Sequence, residues 1–211
     1  MKQPEISLRE RTRRAVAKDI THAAHLLFVK QGYEATTIDE VAAAVGMSQR
    51  SVFRYFATKE DIVLGKLGFT GDEMLSALDA RPLDEPVWTS LRRMFDVYLE
   101  HSDEVARKRV AIPIRKMIFG SSALLGSYLQ KLHQLQDATV EKIIHRAEAA
   151  GHPYGSTDPA PRALTAAAFG CLVAAQHVWL AGEPQHSFEK ALDRAMASLT
   201  PSRVGGDEHG Q

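Results

Sequence analysis

The fold is decided by residues 37–59, which read TIDEVAAAVGMSQRSVFRYFATK. Thr37 is followed three residues later by Glu40, and this pattern of a capping box predicts that a helix begins here. Gly46 comes after that helix and supplies the positive φ that a tight turn requires. Ser48 is a suitable N-cap for a second helix. Two short helices joined by a glycine turn make up a helix-turn-helix.

The two helices of this motif must pack closely against each other. The small residues 42–44, all alanines, predict a close approach of the first helix to the second. The second helix, predicted over 49–56, is expected to bury Val52, Phe53 and Phe56 while its first polar residues remain exposed. A helix of this diameter fits the major groove of B-DNA.

The polar side chains of the motif have the chemistry that reads and holds a DNA duplex. Gln49 and Arg50 pair well with adenine and guanine edges, and Arg54 follows Arg50 by one turn. Lys59 lies in the first turn of the next predicted helix, where the N-terminal amide groups of that helix can donate to a phosphate. A solvated surface helix is the alternative interpretation of the two arginines. The candidate DNA contacts are Thr36, Thr37, Ser48, Gln49, Arg50, Ser51, Arg54, Tyr55 and Lys59.

The run from Ile20 to Ile62 resembles the DNA-binding domain of the TetR family of transcriptional regulators. It covers about a fifth of the chain. The resemblance implies a DNA-binding homodimer that represses transcription until a small molecule releases it. The matching features are Gly32-Tyr33, Thr36-Thr37, Ile38, Val41-Ala42, Val45-Gly46, Ser48, the aromatic cluster Phe53-x-Tyr55-Phe56, and Lys59-Glu60.

Helical periodicity continues along the rest of the chain, and alternating strand patterns are nearly absent, so an all-α fold is predicted. We expect a helix-turn-helix DNA-binding domain over 9–57, a helical ligand-binding and dimerisation domain over 58–200, and a disordered tail over 201–211. The predicted helices cover residues 9–31, 38–45, 49–56, 59–79, 86–102, 104–119, 122–150, 160–182 and 186–199.

Composition indicates a soluble globular protein. The 211 residues are 45% hydrophobic and 25% charged, with one cysteine, and the formal net charge is zero. Residues 1–60 carry ten Lys or Arg against seven Asp or Glu, whereas the remainder carries 16 against 19. The start of the chain lacks the apolar core of a secretory signal peptide. A cytoplasmic location is therefore expected, and a single cysteine fits a reducing compartment.

The segment 163–182 is apolar on nearly every side. Gln176 and His177 in its second half favour a buried helix over a membrane span. A helix of this kind buries one face in its own fold and the other against a partner. The resemblance implies that the last two helices form a four-helix bundle across a dimer axis. The candidate interface residues are Phe169, Leu172, Val173, Trp179, Leu192 and Met196.

The middle helices carry large side chains that suit an apolar ligand pocket with a polar anchor. Ordinary core packing is the alternative interpretation of the same residues. Pro113 is expected to kink the helix over 104–119. The candidate ligand contacts are Met94, Tyr98, Arg115, Met117 and Phe119.

Two other classes of function compete with DNA binding. An enzyme is suggested only by the His22-x-x-His25 spacing, which has no third metal ligand nearby in sequence. Cys171 lies in an apolar run and is interpreted as a core residue, and no phosphate loop or nucleophile elbow is present in the sequence. We therefore expect no catalytic residues, no metal and no cofactor. A helical interaction module that does not touch DNA is the other alternative.

Overall fold

The computed structural model describes residues 7–97, 107–181 and 187–199. Within those ranges the chain is helical and contains no strand, which confirms the predicted all-α class. A π-helical turn covers Arg107–Ala111. The α-helices are α1 Leu8–Gln31, α2 Ile38–Ala44, α3 Gln49–Phe53, α4 Lys59–Val63, α5 Gly65–Asp79, α6 Val87–Met94, α7 Ile112–Gly120, α8 Ser122–Ala149, α9 Ala160–Ala181 and α10 Phe188–Ala197.

The chain divides into two compact units. The first unit contains residues 1–77 and 97–135, and the second contains residues 78–96 and 136–211. Tyr98 and the tail 201–211 lie outside the described residues. The domain limits expected from the sequence, 9–57 and 58–200, stay a prediction.

Local signals in the sequence set the limits of the first three helices. The Ser7 hydroxyl caps α1 by accepting a hydrogen bond from the backbone N–H of Glu10. Gly32 ends α1 with a φ of 88°, a conformation that favours glycine. The core beneath these helices is formed by Ile20, Ala24, Phe28, Val41 and Val52, all at most 1% exposed.

The helix expected over 59–79 is two helices, so that prediction was wrong at Leu64. The backbone of Leu64 (φ −88°, ψ 2°) interrupts the helix, and its side chain is buried. Gly65 then begins α5 in direct contact with α1, because a Cβ at this position would overlap the hydroxyl oxygen of Thr21. Close packing therefore explains the glycine at position 65.

The helix expected over 104–119 is, in its described part, a π-helical turn that continues directly into α7, and the kink expected at Pro113 stays a prediction. Pro113 is the second residue of α7 and follows the π-helical turn. Proline is tolerated in the first turn, where its missing N–H has no partner in the helix. Pro113 therefore lies in the first turn of α7, where it is tolerated.

In the second unit, α9 packs against α10 and α6. Phe95 of the α6 end meets Phe169 of α9 edge to face, with ring centroids 5.4 Å apart. The Arg146 guanidinium donates hydrogen bonds to the carbonyl oxygens of Leu78, Arg81 and Pro82. These bonds satisfy backbone acceptors at the end of α5 and in the loop after it.

Candidate nucleic-acid interface

The helix-turn-helix forms as the sequence predicts at α2. The Glu40 backbone N–H donates to the Thr37 hydroxyl at 3.2 Å, and the Thr37 N–H donates to the Glu40 carboxylate at 2.8 Å. This reciprocal pair completes the capping box. It also holds the pKa of the Glu40 carboxyl below its usual range. Thr37 is exposed at the start of α2, where the position suits a phosphate contact.

Thr36 has a different environment from its neighbour. It is 1% exposed, and its hydroxyl donates a 2.7 Å hydrogen bond to the carbonyl oxygen of Gly32. That bond closes the loop between α1 and α2. The expected phosphate contact of Thr36 is therefore corrected to a structural role.

The turn between α2 and α3 depends on Gly46, whose φ is 66°. Ser48 then caps α3 by accepting from the Ser51 N–H at 3.2 Å, and the two serine hydroxyls lie 3.0 Å apart. Val52 of α3 is fully buried. The cap and this single apolar anchor fix the orientation of a helix of only five residues.

The polar side chains of α3 are available to a partner. Gln49, Arg50 and Arg54 are exposed. Among the described residues, their side chains have no hydrogen bond or ion pair with another part of the chain. Two cations and an amide therefore lie together on one short helix with their hydrogen-bonding capacity unused.

Two sequence expectations about this motif were wrong. Phe53 was expected in the core, but it is 46% exposed. Three alanines were expected to let the two helices approach closely, but only Ala42 is buried, whereas Ala43 and Ala44 are exposed. Because α3 is short, Val52 alone reaches the core, and α2 approaches through fewer residues than expected.

Lys59 is held at the start of α4 by an aromatic ring. Its Nζ lies 4.2 Å from the ring centroid of Tyr33 and 3.5 Å from the carbonyl oxygen of Glu34. The Tyr33 hydroxyl donates to the Glu60 carboxylate at 2.7 Å, and the ring packs against Phe28. Burial and this hydrogen bond raise the pKa of Tyr33. The ammonium is therefore oriented before any phosphate arrives.

Tyr55 and the first turn of α4 border an open cleft in the first unit. Tyr55 is half-buried and lines this cleft of about 440 Å³ together with Arg13 and Arg14. Asp61 in the first turn of α4 pairs with Lys131 of α8 at 3.0 Å. This ion pair therefore joins α4, the helix that carries Lys59, to α8.

His25 joins α1 to the end of α4. It is 6% exposed, and its Nε2–H donates to the carbonyl oxygen of Val63 at 2.8 Å. Burial lowers the pKa of this imidazole to about 4, although the bond to Val63 opposes the shift. His22 is exposed three residues earlier. His25 therefore acts in packing, and no group of three possible metal ligands occurs among the described residues.

Comparison with known families decides the class of protein. The model for bacterial regulatory proteins of the tetR family matches residues 20–65, and the model for the MftR C-terminal domain matches residues 82–203. The chain belongs to the TetR family. It is a ligand-responsive, DNA-binding transcriptional regulator, as the sequence resemblance implied. TetR-family proteins are transcriptional regulators and are not enzymes.

Individual TetR-family relatives match over most of the chain. The HTH-type transcriptional regulator TcmR of Streptomyces glaucescens is 26% identical over 200 residues, covering 92% of this chain and 87% of the relative. The fatty acid degradation regulator FadR of Bacillus halodurans has a similar fold, with a TM-score of 0.59, 17% identity and coverage of 97% and 98%. SmeT in complex with triclosan also has this fold, with a TM-score of 0.57, 16% identity and coverage of 93% and 100%.

The structure buries most of the residues predicted to form the TetR-type dimer interface. Phe169, Leu172, Leu192 and Met196 are at most 3% exposed within the second unit, so their side chains form its own core. Val173 and Trp179 are half-buried, and the Trp179 ring packs against Phe188 at 5.8 Å. A different face of α9 is exposed, and its residues recur every three or four positions: Ala163, Ala166, Gly170, Ala174 and Val178.

The long apolar helix α9 also meets the length and composition criteria for crossing a membrane. Its most apolar 18-residue window has a mean hydropathy of 1.5, and 39% of that window is buried. Thr165 and Gln176 of this helix are fully buried. A single helix of this kind is weak evidence for a membrane span, since core helices of soluble proteins meet the same criteria.

The candidate ligand residues fall in both units. Met94 is fully buried in the second unit. Arg115, Met117 and Phe119 are half-buried on α7 in the first unit, where the Phe119 ring lies 5.6 Å from that of Tyr128. Burial lowers the pKa of the Arg115 guanidinium to about 10.

Proposed function

We propose that the protein is a repressor that binds a palindromic DNA operator as a homodimer and is released by a small apolar molecule. The observation that carries this proposal is the set of exposed and unpaired side chains on α3, Gln49, Arg50 and Arg54. Gln49 and Arg50 suit adenine and guanine edges in the major groove. Thr37, Tyr55 and Lys59 supply phosphate contacts around them.

Phosphate contacts and base contacts have separable consequences. Phosphate contacts release counterions, so DNA affinity falls steeply with salt. Replacing Lys59 with alanine weakens binding to all sequences and reduces the salt dependence. Replacing Arg50 with alanine relaxes sequence preference and costs about 1–3 kcal/mol at one base pair.

The experiment that tests DNA recognition is selection of duplexes from a random pool by the wild-type protein. An enriched inverted repeat supports the proposal. The Arg50→Ala variant should lose preference at one position of each half-site, whereas Arg194→Ala, at an exposed arginine of α10, should enrich the same sequence. A wild-type protein that enriches no sequence would contradict the proposed function.

Homodimerisation is proposed through the exposed face of α9. Two-fold symmetric dimers match palindromic sites because each protomer reads one half-site. The face is apolar and rich in small residues, and Val178 on it is 52% exposed. An apolar surface of this kind on a helix of high mean hydropathy suits a second copy of the chain.

A charge on that face tests the dimer. Val178→Glu should shift the protein toward monomer in sedimentation velocity and weaken operator binding. Leu129→Glu on α8 is the matched control, because Leu129 is 45% exposed in the other unit. A Val178→Glu protein that remains dimeric would move the interface elsewhere.

The effector is proposed to be a small apolar molecule that contacts α7. Phe119 lies one turn after Arg115 on α7, so the two half-buried side chains offer apolar surface beside one cation, and Met117 is half-buried on another side of the same helix. Met94 and Tyr98 stay predicted contacts. The SmeT structure contains triclosan, and FadR is named for fatty acid degradation, so apolar effectors suit this fold. Release of operator DNA by long-chain fatty acids and by aromatic compounds, measured with wild type and Arg115→Ala, tests the assignment. We propose a cytoplasmic location for the protein, because soluble TetR-family regulators act in the cytoplasm.

A further inference from the structure

The exposed ring of Phe53 has no evident role in folding. It is 46% exposed, whereas Phe28 in the same unit is 1% exposed. Burying a phenylalanine side chain contributes roughly 1.5–3 kcal/mol to stability, and this ring forgoes much of that gain. Single exposed apolar residues are common on protein surfaces. Phe53 is informative because it lies on α3, the helix that carries Gln49 and Arg50.

Phe53 lies between the two side chains assigned to base edges. An α-helix turns about 100° per residue, so Phe53 points about 40° from Gln49 and about 60° from Arg50 around the axis. Val52, the next residue back, points into the core and is fully buried. The ring therefore shares the solvent-facing side of α3 with Gln49 and Arg50.

The chemistry of the ring restricts what it can meet in a major groove. Phenylalanine has no donor or acceptor, so it cannot form a hydrogen bond with a phosphate or with a polar base edge. The C5-methyl group of thymine is the apolar feature that base pairs present in this groove. A phenyl ring placed there gains by removing the methyl group from water.

We propose that Phe53 is a sequence-reading residue that packs on the methyl group of a thymine in each operator half-site. This inference rests on the proposed function, because it requires α3 to lie in the major groove. Gln49 lies one turn away and is suited to adenine. The half-site read by this part of α3 is therefore rich in A·T pairs.

The test replaces thymine with deoxyuridine, which lacks only the methyl group. Duplexes selected from a random pool by the wild-type protein are resynthesised with one thymine at a time replaced in both half-sites. Loss of one methyl contact should weaken wild-type binding roughly fourfold per half-site. At that same thymine, Phe53→Ala should bind the thymine and deoxyuridine duplexes equally.

Control variants separate a specific contact from general damage. Leu26→Ala removes an apolar side chain of similar exposure, 48%, from α1 and should retain the wild-type sensitivity to the methyl group. Phe53→Leu keeps apolar surface and should retain part of it. Circular dichroism establishes folding, and Phe53→Gln replaces Phe53→Ala if the alanine variant does not fold.

The outcomes divide cleanly. A thymine at which wild type is sensitive to the methyl group and Phe53→Ala is not supports the inference. A site with no sensitive thymine overturns it, and so does equal sensitivity in wild type and Phe53→Ala, which would assign the methyl contact to another residue. A pool from which the wild type enriches no sequence refutes the proposed function itself and the inference with it.

Discussion

The buried histidine of α1 makes the stability of the first unit depend on pH. His25 is 6% exposed and has its pKa lowered from 6.5 to about 4. In the unfolded chain the imidazole takes up a proton near pH 6.5, whereas in the folded chain it stays neutral until about pH 4. The unfolded state therefore binds more protons between these values, and stability falls as pH falls through this window.

The size of the effect follows from the shift. Complete loss, reached below pH 4, amounts to roughly 3 kcal/mol at about 1.4 kcal/mol per pKa unit. Between pH 7.5 and 5.5 the expected loss is about 1.3 kcal/mol, because the unfolded histidine is mostly protonated at pH 5.5 and the folded one is not. This narrower range stays above the region where most carboxylates titrate.

The assay is urea unfolding followed by far-ultraviolet circular dichroism at pH 7.5 and 5.5. The His25→Gln variant should lose most of the pH-dependent difference, because its amide N–H replaces Nε2–H but takes up no proton. His22→Gln changes an exposed histidine of the same helix and should retain the wild-type difference. Equal pH dependence in wild type and His25→Gln would refute the assignment of this proton to His25.

Three further predictions concern the elements that carry the interface. Tyr33→Phe keeps the ring beneath Lys59 and should retain operator affinity. Tyr33→Leu should weaken operator affinity several-fold at low salt, measured by fluorescence anisotropy, because a cation–π contact contributes about 0.5–1 kcal/mol at exposed sites. Equal affinities of the two variants would exclude this role of the ring. In thermal unfolding, Gly65→Ala should destabilise the protein by about 1–3 kcal/mol, because the added Cβ overlaps with α1. Gly68→Ala on the same helix should stabilise it by up to about 1 kcal/mol, because a Cβ there meets nothing within 4 Å. Similar shifts for both glycines would rule out the overlap. Thr37→Ala should cost about 1 kcal/mol in urea unfolding, because it removes the N-cap of α2, and an unchanged midpoint would show that the capping box does not stabilise this helix.

Local chemistry explains why the helix-turn-helix could be predicted from the sequence. The capping box at Thr37, the N-cap at Ser48 and the positive φ of Gly46 each involve residues at most three positions apart. Such signals can be identified in a short window of sequence, without knowing which distant residues the helix contacts. The starts of α2 and α3 therefore matched the prediction.

The failures occurred where the outcome depends on distant residues. Phe53 is apolar and large, as core residues usually are. It nevertheless lies on the exposed side of α3, and Val52 is the residue of this helix that reaches the core. The break at Leu64 precedes Gly65, whose close contact with Thr21 of α1 joins residues far apart in sequence, and local periodicity does not reveal such contacts. Thr36 was assigned to phosphate by its position, although its hydroxyl is bound to Gly32.

The dimer interface stays a prediction, although the burial of several of its candidate residues was also not foreseen from the sequence. Phe169 and Leu172 were chosen because they are large and apolar, and size is what places them in the core of their own protomer. The exposed face of α9 consists of smaller residues such as Ala174 and Gly170. A sequence that is apolar all round identifies a helix with two buried faces, but it does not say which face belongs to the partner.

A crystal structure of the protein with its selected duplex would show whether α3 reads the DNA. We expect two protomers on one inverted repeat, with α3 of each in the major groove and the Gln49 and Arg50 side chains within hydrogen-bonding distance of base edges. A complex in which α3 lies away from the groove, or in which one protomer binds alone through another surface, would contradict this expectation.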